Sequence, residues 1–410
     1  MNATMAKLLP AVIFVAAGTL TFTLRAEAAS PIKVVYAFSG KPAANPVSGL
    51  VADASGNLYG TTPTNNGLCC GTVFKMTPQP GGGWLFRVIY EFHSSDGSKP
   101  NGLIIDSVGR LYGTTYEGGA YGFGTVFVLY PTKDGWVERV LHSFGNLPDF
   151  QLPQSSLTMS AAGDLYGTAA AGGKNTTYCP YGCGGVFKLS RSGSQFYETE
   201  IYNFTGLSDG SAPESNVIFD AAGNLYGTAS ESFLLGNWGT VFQLSPSASG
   251  EWTEKTLYTF GGAADGATPI GGLIFDGVGN LYGTTNRAGD LAGCNGVGCG
   301  TIFELSPGAA NWTFNVLLTF DGSNGGWPRS SLVSDASGNL YGPAPFGGAT
   351  GLGVVFKLSN SGGTWTESFA SFNSKNGADP DGPLLLQNGS AYGTAADGGK
   401  GYGVVFDIKL

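Results

Sequence analysis

The strongest constraint on this sequence is a Leu-Tyr-Gly-Thr motif that occurs seven times, twice in variant form. The copies are Leu58–Thr61, Leu111–Thr114, Leu165–Thr168, Leu225–Thr228, Leu281–Thr284, Leu340–Pro343 and Ala391–Thr394. Their tyrosines are separated by 53, 54, 60, 56, 59 and 51 residues. This spacing is close to the length of a four-stranded propeller blade. The whole array is therefore predicted to form one domain, because such repeats bury their apolar faces by stacking on their neighbours.

Residues 103 to 144 show how each repeat divides into four short strands, which we name a, b, c and d. Strand b carries the motif, a glycine-rich loop joins it to strand c, and strand d opens at an aromatic residue. The strands are rich in β-branched and aromatic residues and are bounded by Gly, Asp, Asn or Pro, as is typical of strands joined by turns. The pattern predicts an all-β, seven-bladed β-propeller with four-stranded blades.

The two ends of the array predict a closed ring. Residues 32–38 match strand d, whereas residues 404–410 match strand c, so the last repeat lacks its own strand d. We expect the N-terminal strand to pair in the last blade and complete it. Closure removes an exposed edge that would otherwise template aggregation. An open solenoid would not need an N-terminal strand that completes its last repeat.

The N-terminal segment predicts export. Residues 1–28 combine Lys7, an apolar run over residues 8–18 and an Ala26-Glu27-Ala28 cleavage pattern, which together indicate a secretory signal peptide. The alternative, an uncleaved anchor, needs about 20 apolar residues, and threonines dilute the second half of this segment. The expected mature chain, residues 29–410, is a single propeller without a membrane span, secreted or periplasmic.

The charge balance argues against nucleic acid as a partner. The chain has 20 basic and 29 acidic residues, whereas a phosphate backbone requires clustered Lys and Arg. The recurring aspartates of the a–b and d–a loops are interpreted as turn residues rather than calcium ligands. His142 occupies a position that is tyrosine in sister repeats, so a His-based triad or metal site is not expected. We predict a monomer without metal or cofactor.

Further motifs accompany each copy of the first one. Residues 53–62 read D-x-x-G-N-L-Y-G-T-T, residues 71–76 read G-T-V-F-K-M, and Tyr258-Thr259-Phe260 precedes the D-G-x-x-P segment at residues 265–269. This set resembles the GloVer tandem-repeat family of exported bacterial proteins, and the resemblance covers residues 32 to 410. It implies a repeat scaffold and supplies no catalytic residues.

The six cysteines lie in three near pairs, in blades one, three and five. An even number of cysteines in an exported chain indicates disulfides. The pairs are too far apart to share a zinc ion. Cys69 and Cys70 leave three outcomes open: a strained vicinal disulfide, two reduced thiols or a bridge to another chain. Two rings are predicted in the longest b–c loops, Cys179 with Cys183 and Cys294 with Cys299.

One end of the propeller is predicted to carry the binding surface. From the Tyr of strand b to the Phe of strand c the count is 15, 15, 21, 16, 21, 15 and 14 residues, whereas the a–b connection is nearly constant. The b–c and d–a loops emerge on the same side of a four-stranded meander. Function accumulates on loops held by a rigid scaffold. Neutral drift of unconstrained loops would produce the same variation.

Trp238 and Trp327 are the predicted ligand contacts on this face. Both lie in loops, in contrast to the tryptophans that open strand d in sister repeats. Loop aromatic residues bury a large area with few rotatable bonds, although local packing is an alternative. Tyr116, Tyr121 and Arg329 are secondary candidates on the same face.

Three functions are compatible with these features. The leading one is a scaffold that binds an extracellular glycan or protein through the b–c/d–a face without covalent chemistry. The second is a carbohydrate-active hydrolase or lyase with acids at the central channel. The third is a structural envelope protein. No catalytic residue is predicted, but the second function keeps four acids of the b–c loops open: Glu117, Glu231, Asp290 and Asp397.

Overall fold

A computed structural model describes residues 31–64, 69–232, 234, 236–309 and 311–410. Within these ranges the chain forms 31 β-strands and one short 3₁₀ turn, Cys294–Gly296. The predicted signal peptide, residues 1–28, lies outside the described residues. None of the helical structure in the described ranges is long and apolar enough to cross a membrane.

The strands form seven antiparallel blades. The chain begins with β1 (Lys33–Ala37). Blade 1 contains β2 (Val51–Ala52), β3 (Leu58–Thr62), β4 (Thr72–Pro78) and β5 (Trp84–Glu91). Blade 2 contains β6 (Ser98–Ile105), β7 (Leu111–Glu117), β8 (Thr125–Thr132) and β9 (Gly135–Ser143). Blade 3 contains β11 (Thr158–Met159), β12 (Leu165–Ala169), β14 (Gly185–Ser192) and β15 (Gln195–Asn203), with the separate pair β10 (Phe150–Gln151) and β13 (Ala171–Gly172).

The next three blades repeat the same a-b-c-d order. Blade 4 contains β16 (Ile218–Phe219), β17 (Leu225–Ala229), β18 (Thr240–Pro246) and β19 (Trp252–Thr259). Blade 5 contains β20 (Ile274–Phe275), β21 (Leu281–Thr285), β22 (Thr301–Pro307) and β23 (Trp312–Thr319). Blade 6 contains β24 (Val333–Ser334), β25 (Leu340–Ala344), β26 (Val354–Ser361) and β27 (Thr364–Ser371).

Blade 7 joins the two ends of the chain and confirms the predicted closure. Its C-terminal strands are β28 (Ala378–Pro380), β29 (Leu385–Gln387), β30 (Ser390–Asp397) and β31 (Val404–Lys409). Strand β1 pairs antiparallel with β31, so that Lys33 lies opposite Asp407 and Ala37 opposite Val404. Phe38, which follows β1, is buried in one cluster with Val405. The N-terminal strand therefore supplies the missing strand d.

The glycine of the repeated motif is explained by a close approach inside each blade. A Cβ atom on Gly60 would lie 2.6 Å from the ring of Phe74 in strand c. Phe74 is fully buried, and burying such a side chain contributes about 1.5–3 kcal/mol. The same glycine–phenylalanine contact occurs in all seven blades, at Gly60, Gly113, Gly167, Gly227, Gly283, Gly342 and Gly393.

The threonine of the motif links six of the seven blades to the next one around the channel. The Thr114 hydroxyl donates to the carbonyl oxygen of Ser155 at 2.7 Å, and Thr394 closes the ring by donating to Ser48 at 2.8 Å. Blade 6 has Pro343 at this position and therefore has no hydroxyl to donate. The other donors are Thr61, Thr168, Thr228 and Thr284.

The recurring aspartates hold turns together, as the sequence predicted. Asp53 accepts hydrogen bonds from the backbone N–H groups of Ser55 and Asn57 and from the Tyr59 hydroxyl, which lies 2.9 Å away. Burial alone would raise the pKa of Asp53, but these hydrogen bonds hold that pKa below its ordinary value. In the d–a loops, Asp149 faces His142 at 3.7 Å, in the place where sister blades pair an aspartate with a tyrosine hydroxyl.

Candidate functional site

The b–c and d–a loops surround one end of the channel, which we call the loop face. Two of these b–c loops are closed by disulfides, Cys179–Cys183 and Cys294–Cys299, as predicted. Cys69 and Cys70 form a vicinal disulfide, which settles the alternatives that the sequence left open. Three disulfides indicate an oxidising, non-cytoplasmic compartment.

The channel opens on the loop face through a cavity of about 430 Å³, which is lined mainly by the segments that lead into the first strand of each blade. In these segments, a repeated proline is followed by a residue that differs from blade to blade. In blade 2 this residue is missing, because Pro100 is followed directly by Asn101 and Gly102. We call the six differing residues the mouth: Val47, Gln154, Glu214, Ile270, Arg329 and Asp381.

The mouth carries a carboxyl group between blades 3 and 4 that has a polar neighbour. Burial, together with the nearby Glu231 carboxylate, raises the pKa of Glu214 to about 7. The neighbouring Gln154 side chain opposes this shift. A carboxyl group with this pKa exchanges protons near neutral pH, so it both donates and accepts hydrogen bonds there.

A second carboxyl group lies between blades 6 and 7. Asp381 faces the Arg329 guanidinium at 3.7 Å, and its other oxygen, Oδ1, is buried without a hydrogen-bond partner among the described residues. Burial raises the pKa of Asp381 to about 6, although Arg329 opposes the shift, and Asp379 adds to it. The mouth therefore holds one ion pair and one unpaired acid, together with the apolar Val47 and Ile270.

Two polar side chains meet in the wall of the cavity. Ser331 of blade 6 lies 3.4 Å from Asn216 of blade 4, measured between Oγ and Oδ1. The contact passes over Gly272 of blade 5, where a Cβ atom would lie 2.4 Å from the Ser331 hydroxyl. The missing side chain of Gly272 therefore leaves the room that this contact occupies.

Eight of the fifteen large apolar side chains that are exposed among the described residues lie on the b–c and d–a loops of blades 2 to 5. Tyr181, within the Cys179–Cys183 ring, is 80% exposed, Tyr121 is 60% exposed and Trp238 is 55% exposed. Isolated exposed apolar residues are ordinary, whereas several on neighbouring loops of one face are typical of an interaction surface. We call this set the loop arc: Tyr121, Leu147, Tyr178, Tyr181, Leu234, Trp238, Leu291 and Val297.

The five predicted ligand contacts differ in their surroundings. Tyr121 and Trp238 belong to the loop arc, and Arg329 belongs to the mouth. Tyr116 is half-buried, with the Lys99 ammonium 5.6 Å from its ring centroid.

Trp327 is less exposed than the aromatic residues of the loop arc. Its half-buried indole stacks on Phe346, with ring centroids 4.5 Å apart, and packs against a core cluster of blades 5 and 6. Its Nε1–H group donates to the Gly298 carbonyl at 3.1 Å, within the disulfide-closed loop. These contacts favour the local-packing alternative, and the ligand contact of Trp327 stays a prediction.

The four acids of the b–c loops are also separated by the structure. Glu117 forms an exposed ion pair with Lys99 at 2.7 Å, and Asp290 accepts a hydrogen bond from the backbone of its own loop. Glu231 lies near Glu214 of the mouth and raises the pKa of that carboxyl group. Asp397 raises the pKa of Asp379, which lies two residues before Asp381 of the mouth.

Sequence reasoning missed most of the mouth and part of the loop arc. The one sequence feature that points to Glu214 and Asp381 is their position: each directly follows a proline that every repeat has, and the residue type at this position differs between repeats. Tyr178 and Tyr181 were signalled by their position beside and within the Cys179–Cys183 ring, outside the repeated pattern.

The profile of the Gloeobacter/Verrucomicrobia repeat matches residues 16–179 and 292–410, which is more than half of the chain. No curated protein matches it. A structure from Bacteroides uniformis named "putative 6-phosphogluconolactonase" is similar, with a TM-score of 0.51 and 14% identity, over 78% of this chain and 83% of that one. A protein of the same name from Bacteroides fragilis has the same TM-score and identity, over 78% of this chain and 82% of that one. At this identity the likeness shows the fold alone.

Proposed function

Because this chain belongs to the Gloeobacter/Verrucomicrobia repeat family and forms a closed propeller with a loop face, we propose that it is a binding scaffold. In this proposal it is secreted or periplasmic and binds an extracellular glycan through the loop face, without covalent chemistry. Three disulfides and the signal-peptide pattern support export.

The loop arc is the observation that carries this proposal. Its aromatic members project from loops that are held in place, since Tyr181 lies within a disulfide ring and Trp238 lies against the backbone of Gly262. Restrained aromatic rings lose little conformational entropy on binding and offer flat faces that stack on sugar rings. A glycan is favoured over a protein because the arc is interrupted by polar loops and borders a polar mouth.

The mouth does not favour a phosphorylated sugar acid, the kind of compound in the name of the structural neighbours. A phosphorylated, acidic sugar would require several cations. Arg329 is the single cation among the described residues that line the mouth, and it already faces Asp381.

Replacing Tyr121, Tyr181 and Trp238 together with Ala tests the proposal. We expect wild-type protein to bind fragments on an array of bacterial and plant cell-wall glycans, and the triple variant to bind at least about tenfold more weakly, because each exposed ring is a contact of the hot-spot type. Circular dichroism and the melting temperature should change little, since these side chains are exposed.

The matched control replaces Val108 and Val278, which are exposed on a–b turns at the opposite end, with Ser. It should bind as wild type does. Equal binding by the triple variant, or binding confined to a parallel peptide array, would contradict a glycan-binding loop face.

A further inference from the structure

We propose that the mouth is a separate binding site for one uncharged sugar unit at the end of a glycan chain. This inference rests on the proposed function, because the loop arc would hold the following units of the same chain. It adds a specificity-determining pocket to a surface whose aromatic rings discriminate poorly between sugars.

The first argument is the asymmetry of the mouth. The fold repeats seven times, and the prolines before the mouth and the apolar residues after it recur in each blade. The six mouth residues nevertheless include two apolar side chains, one amide, one cation and two acids. A packing role would be met by the same residue in every blade. Chemically different groups around one cavity suit a small ligand whose edges differ.

The second argument is the size of the cavity and the chemistry of its lining. A volume of about 430 Å³ lies within the range of about 300–1,000 Å³ found for small-molecule pockets. Glu214, Gln154 and Asp381 present planar groups that accept or donate two hydrogen bonds each. Such groups match pairs of neighbouring hydroxyl groups on a sugar ring. Asp381 retains a buried oxygen without a described partner, and Ile270 offers apolar contact for the ring's C–H face.

The charges of the lining also bear on the ligand. Arg329 is the single cation among the described residues that line the mouth, and it already faces Asp381 at 3.7 Å. A ligand carboxylate or phosphate would therefore find no free cation there and would lie beside two acidic side chains, Glu214 and Asp381. The mouth therefore favours uncharged sugars over uronic acids.

The size of the cavity also bears on the position of the unit in its chain. A volume of about 430 Å³ holds little more than one sugar unit, so we take the unit in the mouth to be the end of the glycan. The following units would lie on the loop face, where the loop arc extends over blades 2 to 5.

The test uses oligosaccharides immobilised through their reducing ends in matched sets. One set ends in glucose, galactose, mannose or N-acetylglucosamine, and the other ends in glucuronic or galacturonic acid. We expect wild-type protein to bind members of the first set, and the corresponding free methyl glycosides to compete. Binding only to the uronic set, or no effect of any methyl glycoside, would overturn the proposal.

Two substitutions locate the site. Glu214→Ala should weaken binding about ten- to a hundredfold, as expected for loss of a hydrogen-bonding acid, and should abolish competition by the methyl glycoside. Glu117→Ala, which removes an exposed acid of the same face outside the cavity, should bind as wild type does. If the alanine variant melts at a lower temperature than the wild type, Glu214→Gln replaces it in the test, because glutamine preserves the shape of the side chain. We expect Glu214→Gln to change the order in which the sugars are preferred.

The outcomes also separate this proposal from the proposed function. If replacing the loop-arc aromatics abolishes binding while Glu214→Ala and Glu214→Gln leave it unchanged, the mouth is not a site and the binding face stands. If no glycan of either set binds the wild type, both proposals fail.

Discussion

At the residue scale, the repeated glycine and threonine have separate physical reasons. The glycine leaves room for a buried phenylalanine, and the threonine hydroxyl connects adjacent blades. The recurrence of both residues could be read from the sequence. The physical reason for each residue could not be read from the sequence. The phenylalanine that packs on the glycine lies on another strand, and the carbonyl group that accepts from the threonine lies in another blade.

Gly227 offers a direct test of the packing argument. A Cβ atom at this position would lie 2.6 Å from the ring of Phe242, and overpacking of this kind costs about 1–3 kcal/mol. We expect Gly227→Ala to lower the free energy of unfolding by that amount in urea denaturation. Gly277→Ala is the matched control, because nothing lies within 4 Å of a Cβ there; equal effects of the two substitutions would refute the argument.

At the scale of elements, strand d carries an inward position, half-buried in most blades, that faces the neighbouring blade. Phe86 and Phe314 occupy it in blades 1 and 5 and stack on Tyr36 and Tyr258, with centroid distances of 4.3 and 4.0 Å. Other blades have glutamates there, with one buried carboxyl oxygen left without a described partner: Glu138, Glu198 and Glu367. The alternation of strand d predicts an inward position, but it does not distinguish an acid that will be buried.

These glutamates make stability depend on pH. Burial raises the pKa of Glu198 to about 7, with Asp149 and Glu200 adding to the shift and His142 opposing it. Burial likewise raises the pKa values of Glu138 and Glu367 to about 7. The folded protein holds these protons up to about pH 7, whereas the unfolded chain releases them near the ordinary value of 4.5. Their contribution to stability is therefore complete below pH 4.5 and is lost as the pH rises through 7.

We expect the melting temperature to fall between pH 5 and pH 8. Replacing Glu138, Glu198 and Glu367 together with Gln should flatten this fall and raise the melting temperature at pH 8 by a few degrees, because the amide carries no charge to bury. Replacing the exposed Glu251 with Gln is the control. A triple variant with the wild-type pH profile would show that these acids are not responsible.

At the scale of the whole molecule, the number of blades, the closure and the disulfide rings were predictable because each follows from counting repeats and spacings. The mouth and the surroundings of Trp327 were not predictable. Glu214 and Asp381 are neighbours of the channel only because blades 4 and 7 meet around one axis, and the indole of Trp327 is half-buried because it stacks on Phe346. Contacts of this kind join residues that no local pattern connects.

At this scale the closed ring is decisive, because the mouth and the loop arc keep their geometry only if all seven blades are held in place. Removing residues 31–38 deletes β1 and the buried Phe38 and leaves β31 as an open edge. The most direct measurement is size-exclusion chromatography with light scattering, combined with thermal melting, on this variant and on the chain that begins at residue 31. We predict that the shortened protein aggregates and melts at a markedly lower temperature. A shortened protein that elutes as the longer chain does and melts at the same temperature would contradict the closed propeller.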